Sequence, residues 1–545
     1  MTEGVRHPEH ATWSRRDAWF LGATIATLGL VPWTVSHWPS QDGPNHLAVA
    51  HVVATYAENE SPFTRFLSVH RGFRPSTATY EILAAASRVV SLDVAERCLV
   101  SVALVLLPAS LFLLVRRNLP QRQVNVFLGL PFVLGWALGM GFLSFELAMA
   151  FGVLALAVGW QPSSTAAPGV RVGWRHALAS LAFFLSVAFH PFAAVIAGLL
   201  LMLLEWQNLL QVRQWPRLLL VLLPGAAFLV LSYFAAGPPS DSSAAHETDF
   251  SDPVGILVSA LECCVSYSPF ELVPRLAALL LVIPFVYRSV RAHAPHREHP
   301  EAAIGRAVLA LLVLFCVTPT TLHGWYFCSA RFLLYAWVLL PVAAVLPASI
   351  ARRAVWLGPA LTAIALAIQL PVINHASRQL QDVLDVGRTI PPGAKVLPAD
   401  LETSVFGPQP MCDAWAELVV ERDAVASQLF AAGRPRMGGE RLRTLTFLPG
   451  VLDAKSGTLP WSGFSIWSDV WQPCADPWSP VRWFVHVDGT CDRALAARRH
   501  ELDPVVDRYD YVLVTGPPDY MEEVLASRVR LFSQVGSARL YSVVH

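Results

Sequence analysis

Charge is scarce in this chain of 545 residues: Asp, Glu, Lys and Arg together make up 15% of it, and only Lys395 and Lys455 among its basic residues are lysine. So few charges cannot solvate the surface of a water-soluble protein of this size. With hydrophobic residues at 54% and a mean hydropathy of +0.46, a bilayer must solvate much of it. Acidic and basic residues cancel to a formal charge of zero, which removes the overall positive field that nucleic-acid binding uses. The C-terminal third has no Gly-rich phosphate loop, no GxSxG and no HExxH, and so lacks the usual signatures of P-loop, serine-hydrolase and zinc-protease chemistry. Three of the eight cysteines (Cys412, Cys474, Cys491) lie there without the short paired spacing of a zinc site. A Cys474–Cys491 disulfide is compatible with an extracytoplasmic setting.

What is present is apolar sequence in long runs. The first, flanked by Arg15 and Arg16, has no small-residue cleavage site at its end and reads as a retained transmembrane helix. Runs able to span fall near 18–38, 95–115, 124–141, 143–160, 176–189, 191–208, 217–236, 273–289, 303–319, 331–349 and 354–372, about eleven crossings. The pair around His190-Pro191 is short, and one kinked helix with a re-entrant piece would serve as well. Every second connection is basic: Arg15/Arg16, Arg116/Arg117/Arg122, Arg171/Arg175, Arg213/Arg217, Arg288/Arg291/Arg297 and Arg352/Arg353. By the positive-inside rule these mark the cytoplasmic side. The other connections, including residues 39–94, a 237–255 loop and everything after 373, then lie outside.

The chain therefore divides into a transmembrane part, 1–372, and an extracytoplasmic part, 373–545. In the latter, YDYVLVT (Tyr509–Thr515) and RLYSVV (Arg539–Val544) read as strands, and 413–431 and 518–528 as helices. A small α/β domain is expected, without repeats or low-complexity tracts. The fold class is thus a polytopic α-helical membrane protein with a C-terminal α/β domain. Arg in place of nearly all Lys points to a GC-rich bacterial genome, and hence to a bacterial inner membrane with the N-terminus cytoplasmic.

The most informative stretch follows the first span: SQDGPNHLAVAHVVATYAENE. Asp42 sits at the membrane edge in a Gly-Pro turn before a helix from about Asn45. Val49, Val52, Val53 and Tyr56 share one face of that helix, and His51, Thr55 and Glu58 the other, which predicts a helix lying along the bilayer surface. A second short helix, about 76–90, carries Glu81 and Arg88 on one face. Together they would form a lid bearing Asp42, His46, His70, Arg71, Arg74 and Glu81.

A carboxylate just after the first helix in QDGPNH, surface helices in that loop, about eleven spans and an exterior C-terminal domain together resemble the GT-C superfamily of membrane glycosyltransferases. The resemblance implies a sugar donor linked to polyprenyl phosphate and a glycan, lipid or protein acceptor. Inverting transfer needs a base for the acceptor proton and a cation for the departing phosphate. Asp42 suits the first task. Arg331, at a helix end after His323, Trp325 and Tyr326, suits the second, with Arg74 as the alternative. His46, one turn after Asp42, would orient the carboxylate. Many members of such families carry two neighbouring carboxylates in this loop, whereas here Glu58, Glu60 or Glu81 would have to supply the second, which leaves dependence on a divalent cation (Mg or Mn) open. His190 and Glu146, polar groups at the ends of apolar helices, are further candidates where they face a cavity.

Plainer roles compete at each position. Asp42 could be a turn residue or helix N-cap, Arg331 an anchor that snorkels to headgroups, and Glu81 an ion-pair partner of Arg74 or Arg88. The Asp241, His246, Glu247, Asp249, Asp252 group has the setting of a solvated loop. Trp461, Trp467, Trp471, Trp478 and Trp483 could stack on sugars, or be core or interface residues. Two other functions stand beside glycosyl transfer: a transporter or flippase of lipid-linked glycans, which calls for polar midplane residues and repeat symmetry that the sequence lacks, and a non-catalytic membrane scaffold.

Overall fold

The computed structural model describes residues 13–58, 61–70, 72, 74–161, 173–209, 211–235, 248–293, 300–322, 326–400, 408–431, 444–452, 458–459, 505–515 and 527–545. Arg71, Glu60, His323, Trp325, Asp241, His246, Glu247, Cys474, Cys491, the five C-terminal tryptophans and all but the end of the 518–528 helix lie outside them. Helix α1 (Arg15–Leu30) opens on a capping box between Ser14 and Asp17, and a 3-10 turn at Val31–Thr34 extends it. Next come α2 (Gly43–Thr55), α3 (Ala78–Ala86), α4 (Leu92–Asn118), the single turn α5 (Trp136–Gly139) and α6 (Leu143–Gly159). They are followed by α7 (Trp174–Phe189), α8 (Pro191–Leu204), the turn α9 (Trp206–Leu209), α10 (Trp215–Ala235) and α11 (Pro253–Glu262). The bundle closes with α12 (Leu272–His293), α13 (Pro300–Val317), α14 (Cys328–Ala343) and α15 (Ala348–Gly387).

By length and composition α4, α10, α13, α15 and Pro269–Arg291, which contains most of α12, can cross a membrane; α6, α7, α8, α11 and α14 are shorter apolar helices. At 1.5 Å per residue the 17 residues of α6 reach only about 25 Å, so such helices rely on burial among neighbours more than on spanning length. Between α7 and α8 the chain does not kink within one helix. His190, extended at φ −158°, ends the first and starts the second, with Pro191 in the N1 position that tolerates a missing N–H.

The span expected at 124–141 is not an α-helix. Residues Pro120–Phe132 form a 3-10 helix and α5 is a separate turn. Pro120 and Pro131 remove donors, and the polar residues are committed elsewhere. The Arg122 Nη1 donates to the Val342 and Ala343 carbonyls at 3.0 and 2.9 Å, and the Asn125 amide to those of Pro341 and Ala344 at 2.9 and 2.8 Å. This strut thereby satisfies the orphan carbonyls at the end of α14. Its 3-10 rise of about 2 Å per residue still carries it about 26 Å through the bundle.

The expected domain division at 372/373 falls inside α15, whose 40 residues extend about 60 Å. Its first half, with Ala351, Ala354, Leu361 and Ile373, packs in the bundle core, while Leu380, Val383 and Val386 belong to a second core. That core is built on a four-stranded sheet of β4 (Val396–Asp400), β6 (Tyr511–Thr515), β8 (Ala538–Val543) and β7 (Val529–Val535), in the order β4-β6-β8-β7. The β4–β6 pair is parallel and the rest antiparallel. Helix α16 (Glu417–Arg422) joins it, shorter than the helix expected over 413–431 because Asp423 takes the left-handed conformation (φ 52°) directly after it.

Helix α2 does not lie bare on a bilayer surface, as its pattern suggested. Ala48, Val49, Val52 and Val53 are buried in the C-terminal core, and Leu47 and Ala50 pack with Leu83, Leu92 and Ala95 of α3 and α4. Its polar face is also covered, since His51 Nε2 meets Asp423 at 2.7 Å. The loop carries β1 (Leu67–Val69), which pairs antiparallel with β5 (Leu445–Phe447) of the C-terminal part. A short pair between β2 (Thr248–Asp249) and β3 (Thr321–Leu322) links two further connections, and Asp252 caps α11 through Gly255 N at 2.6 Å. These two acidic residues thus do structural work.

The bundle is pinned by a fully buried pair, Glu271 and Arg275, 2.9 Å apart. Glu271 accepts from the backbone N–H groups of Ser266, Tyr267 and Ser268 and from the Gln369 amide, while Arg275 donates to the carbonyls of Pro131, Cys264 and Leu134. α12, α15 and the 3-10 strut meet at this point. Arg275→Met is expected to cost about 3–5 kcal/mol by stranding the carboxylate, with much of the loss recovered in Glu271→Gln/Arg275→Met. Denaturant unfolding in detergent checks this, and equal losses in both variants would contradict it.

Candidate active site

The QDGPNH motif is held from both sides. Gln41 and Asp42 donate their backbone N–H groups to the carbonyls of Gly139 and Met140, at 2.9 and 3.0 Å. Gly141, at φ +81°, lies so close behind that a Cβ there would stand 2.5 Å from Gly43 N and 2.9 Å from Asp42 N, so only glycine fits. On the other side, buried Asn45 donates to the Asp413 carboxylate at 3.0 Å and the Gln428 carbonyl at 3.2 Å, and accepts from Phe430 N at 2.9 Å. Gln41 Oε1 accepts from Gln409 N at 3.0 Å. Gln41 and Asn45 are therefore structural clamps to the C-terminal part. Asp42 occupies the N-cap position of α2, but its side chain makes no capping hydrogen bond, so the N-cap reading fails.

His46, one turn on, has Nδ1 2.8 Å from the Tyr80 hydroxyl, and its ring lies 5.2 Å from that of Phe430. That contact fixes the ring's orientation. Arg331 attracts Asp42 and repels a charged His190, which is repelled by His46 as well, so the four lie within reach of one another's charge. The structure thus brings four of the expected residues into one group, from the Asp42 loop, the α7–α8 junction and the first turn of α14.

Arg331 is not a snorkelling anchor. It is only 6% exposed, and its guanidinium lies 5.5, 5.8 and 5.4 Å from the ring centroids of Phe142, Phe145 and Phe192. Desolvated cation–π contacts of this kind contribute about 2 kcal/mol each or less. The His190 ring stands edge-on to Phe145 at 5.4 Å, and Phe145 in turn to Tyr335 at 6.3 Å. Glu146 is buried at 3% exposure on the same turn of α6, in the field of Tyr335, and its side chain forms no hydrogen bond or ion pair with the described residues. It thus lies one step deeper than Arg331.

The remaining candidates are placed differently. Glu81 is in the first turn of α3 with Oε1 buried and without a hydrogen-bond partner, and no ion pair joins it to Arg74 or Arg88 among the described residues. Thr79 beside it bonds Ser144 at 2.9 Å, tying α3 to α6. Arg74 is half-buried, and together with partial burial it pushes the His70 imidazole below its ordinary range; His70 itself is engaged by Thr446 at 2.8 Å. Tyr326 is 44% exposed at the rim, and Glu58 is exposed. Among the described residues no three His, Cys, Asp or Glu side chains are grouped to hold a metal ion, so no step below is routed through one.

Sequence reasoning missed the phenylalanine cage and the Tyr80 and Phe430 contacts. Phe142 and Phe145, at i and i+3 directly after the Gly141 turn, are the signal that could have been read. It also missed an acidic cluster at the junction of bundle and C-terminal core. Glu96 Oε1 lies directly under Gly43, where a Cβ would be 3.1 Å from it, and Glu417 is buried at 3% exposure nearby. His37 bridges Asp93 at 2.8 Å and Gln381 at 3.0 Å alongside.

No family model matches the chain, and no curated protein sequence does. Among solved structures, ArnT from Cupriavidus metallidurans in the apo state superposes with a TM-score of 0.51 at 11% identity, covering 97% of this chain and 99% of that one. The same protein bound to undecaprenyl phosphate gives 0.50 at 10% identity, over 98% and 99%. This is the GT-C fold. The mycobacterial arabinofuranosyltransferase AftD is a further match, at TM-score 0.45 and 15% identity over 99% of this chain and 40% of that one. Within the GT-C fold the chain is a multi-pass membrane protein, and the expectation drawn from QDGPNH and the order of spans holds at the level of architecture.

Burial, then repulsion from Asp93, raises the Glu417 carboxyl to about 8, so it is protonated in the folded protein at neutral pH. A folded-state value above the unfolded one means that its contribution to stability is present below the unfolded pKa of about 4.3 and is lost as pH rises through about 8. Glu417→Gln should therefore flatten the fall in melting temperature between pH 5 and 9 and exceed the wild type at the alkaline end. Parallel profiles would show that Glu417 does not carry this dependence.

Proposed function

We propose that this protein is an integral-membrane glycosyltransferase that moves a sugar from a polyprenyl-phosphate donor to an extracytoplasmic acceptor. One observation carries the reading: the Asp42 carboxylate at the start of α2 stands in the field of a buried, aromatic-caged Arg331 at one end of an apolar bundle. The GT-C fold, and undecaprenyl phosphate bound in ArnT, support it. The Arg-rich connections support an orientation in a bacterial inner membrane with that end outside and the N-terminus cytoplasmic.

Asp42 takes the proton of an acceptor hydroxyl as that oxygen bonds to the anomeric carbon. The bond from that carbon to the phosphate oxygen breaks, its electron pair leaves on the phosphate, and Arg331 offsets the charge that develops there. Aromatic walls keep water from the guanidinium, which strengthens its attraction for phosphate. His46, fixed by Tyr80, orients the Asp42 side of the site. His190 and Glu146 line its deeper wall, Arg74 and Tyr326 its headgroup side, and Glu81 is the second carboxylate available to an acceptor. Backside attack by the acceptor oxygen in a single displacement gives inversion.

Membranes carrying the protein, given undecaprenyl-phosphate-linked pentoses and hexoses, should release free undecaprenyl phosphate. Asp42→Asn should lower that release at least about 100-fold with expression intact, as loss of a general base does. Arg331→Lys, which keeps charge but not the planar fork, should lower it about 10- to 100-fold. Full activity in Asp42→Asn would overturn the mechanism.

A further inference from the structure

The far end of the bundle from Asp42 carries a feature with no part in glycosyl transfer. A groove of about 340 Å³ between α1 and α15 is lined by Arg16, Trp19, Phe20, Val355 and Trp356. The Arg16 guanidinium lies 5.0 Å over the Trp356 ring, and Phe20 packs on the same ring at 4.8 Å. Trp19 and Trp356 are 81% and 53% exposed, large indoles turned outward at a helix end, as at a membrane interface. Arg352 and Arg353, both exposed, stand one turn before Trp356 at i−4 and i−3, on its side of α15.

The charge in the groove is one-sided. Arg15, Arg16, Arg352 and Arg353 make no ion pair with described residues. The single carboxylate in the lining, Asp17, is already committed to Ser14, whose N and Oγ both donate to it at 2.8 Å. An occupant must therefore bring negative charge at headgroup depth and apolar length along Phe20, Ala23 and Val355. A soluble anion lacks the second property, and a zwitterionic headgroup would set an ammonium among unbalanced guanidinium groups.

We propose that this groove binds an anionic diacyl phospholipid, its phosphate held by Arg16 with Arg352 and Arg353 and an acyl chain laid along the α1–α15 seam. Arg16, stacked on Trp356, is pre-oriented to donate in a bidentate manner. The site has a mechanical consequence, because α1 leads through the 3-10 turn at Val31–Thr34 toward the Asp42 turn and α15 runs on into the C-terminal core. A lipid bridging their near ends braces both elements that frame the Asp42 group, from beyond the length of α1, about 24 Å.

The test uses the full chain in nanodiscs of phosphatidylcholine with or without phosphatidylglycerol, with native mass spectrometry reading the retained lipid. The wild type should retain phosphatidylglycerol over phosphatidylcholine by about tenfold or more, as one to two arginines at a headgroup would give. Arg16→Gln should bring the two to near parity, and Arg352→Gln/Arg353→Gln, at exposed positions that do not threaten folding, should reduce the preference in the same direction. Equal retention of both lipids by the wild type would overturn the proposal, as would a preference unchanged in the variants. Displacement of phosphatidylglycerol by an equimolar amount of undecaprenyl phosphate, lost in Arg16→Gln, would overturn the assignment to a diacyl lipid.

Discussion

The rest of the structure depends on how the Asp42 turn is seated. The turn is wedged between a glycine-backed loop of the bundle and the amide-lined edge of the C-terminal part, so it cannot move without unmaking hydrogen bonds on both sides. The close approach of Gly141 to the backbone of Asp42 and Gly43, and the triple engagement of Asn45 with Asp413, Gln428 and Phe430, together fix where the carboxylate stands. Neither contact involves the Asp42 side chain. Its neighbours secure the backbone that carries the carboxylate.

Electrostatics gives that placement its force. Arg331 and Asp42, far apart in sequence, are drawn into one low-dielectric region, where attraction between unlike charges is several times its value in water. Three phenylalanines surround the guanidinium and set it in an apolar environment that strengthens its attraction for an anion. Elsewhere the bundle treats buried charge in the opposite way. Glu271–Arg275 and Glu205–Arg217 are closed ion pairs in which each carboxylate also accepts from a side-chain amide, the arrangement of a strut and not of a binding site.

The sequence made the membrane architecture legible because apolar length and arginine spacing are local properties. The position of Asp42 after the first span, the turn at Gly43-Pro44, strands at 511–515 and 538–543 and a helix break at His190 could all be read one segment at a time. The failures were tertiary. Residues 124–141 are apolar enough to span, yet Arg122 and Asn125 find carbonyls at the end of α14 that no local pattern discloses. Helix α2 has an amphipathic pattern suited to a bilayer surface, but a protein core covers the face expected to lie against lipid. The cage around Arg331 joins α6, α8 and α14, and nothing at Phe192 marks it as a neighbour of residue 331.

The account stands on one spatial claim, that a lipid phosphate can lie between Arg331 and Asp42 at the same end of the bundle. A cryo-electron microscopy structure of the full chain in nanodiscs containing undecaprenyl phosphate measures it directly. The account predicts phosphate density against the Arg331 guanidinium, with the Asp42 carboxylate within the roughly 10 Å that a bound sugar phosphate would span. Phosphate density elsewhere in the bundle, or an Arg331 closed off from it by an ion pair, would contradict the account.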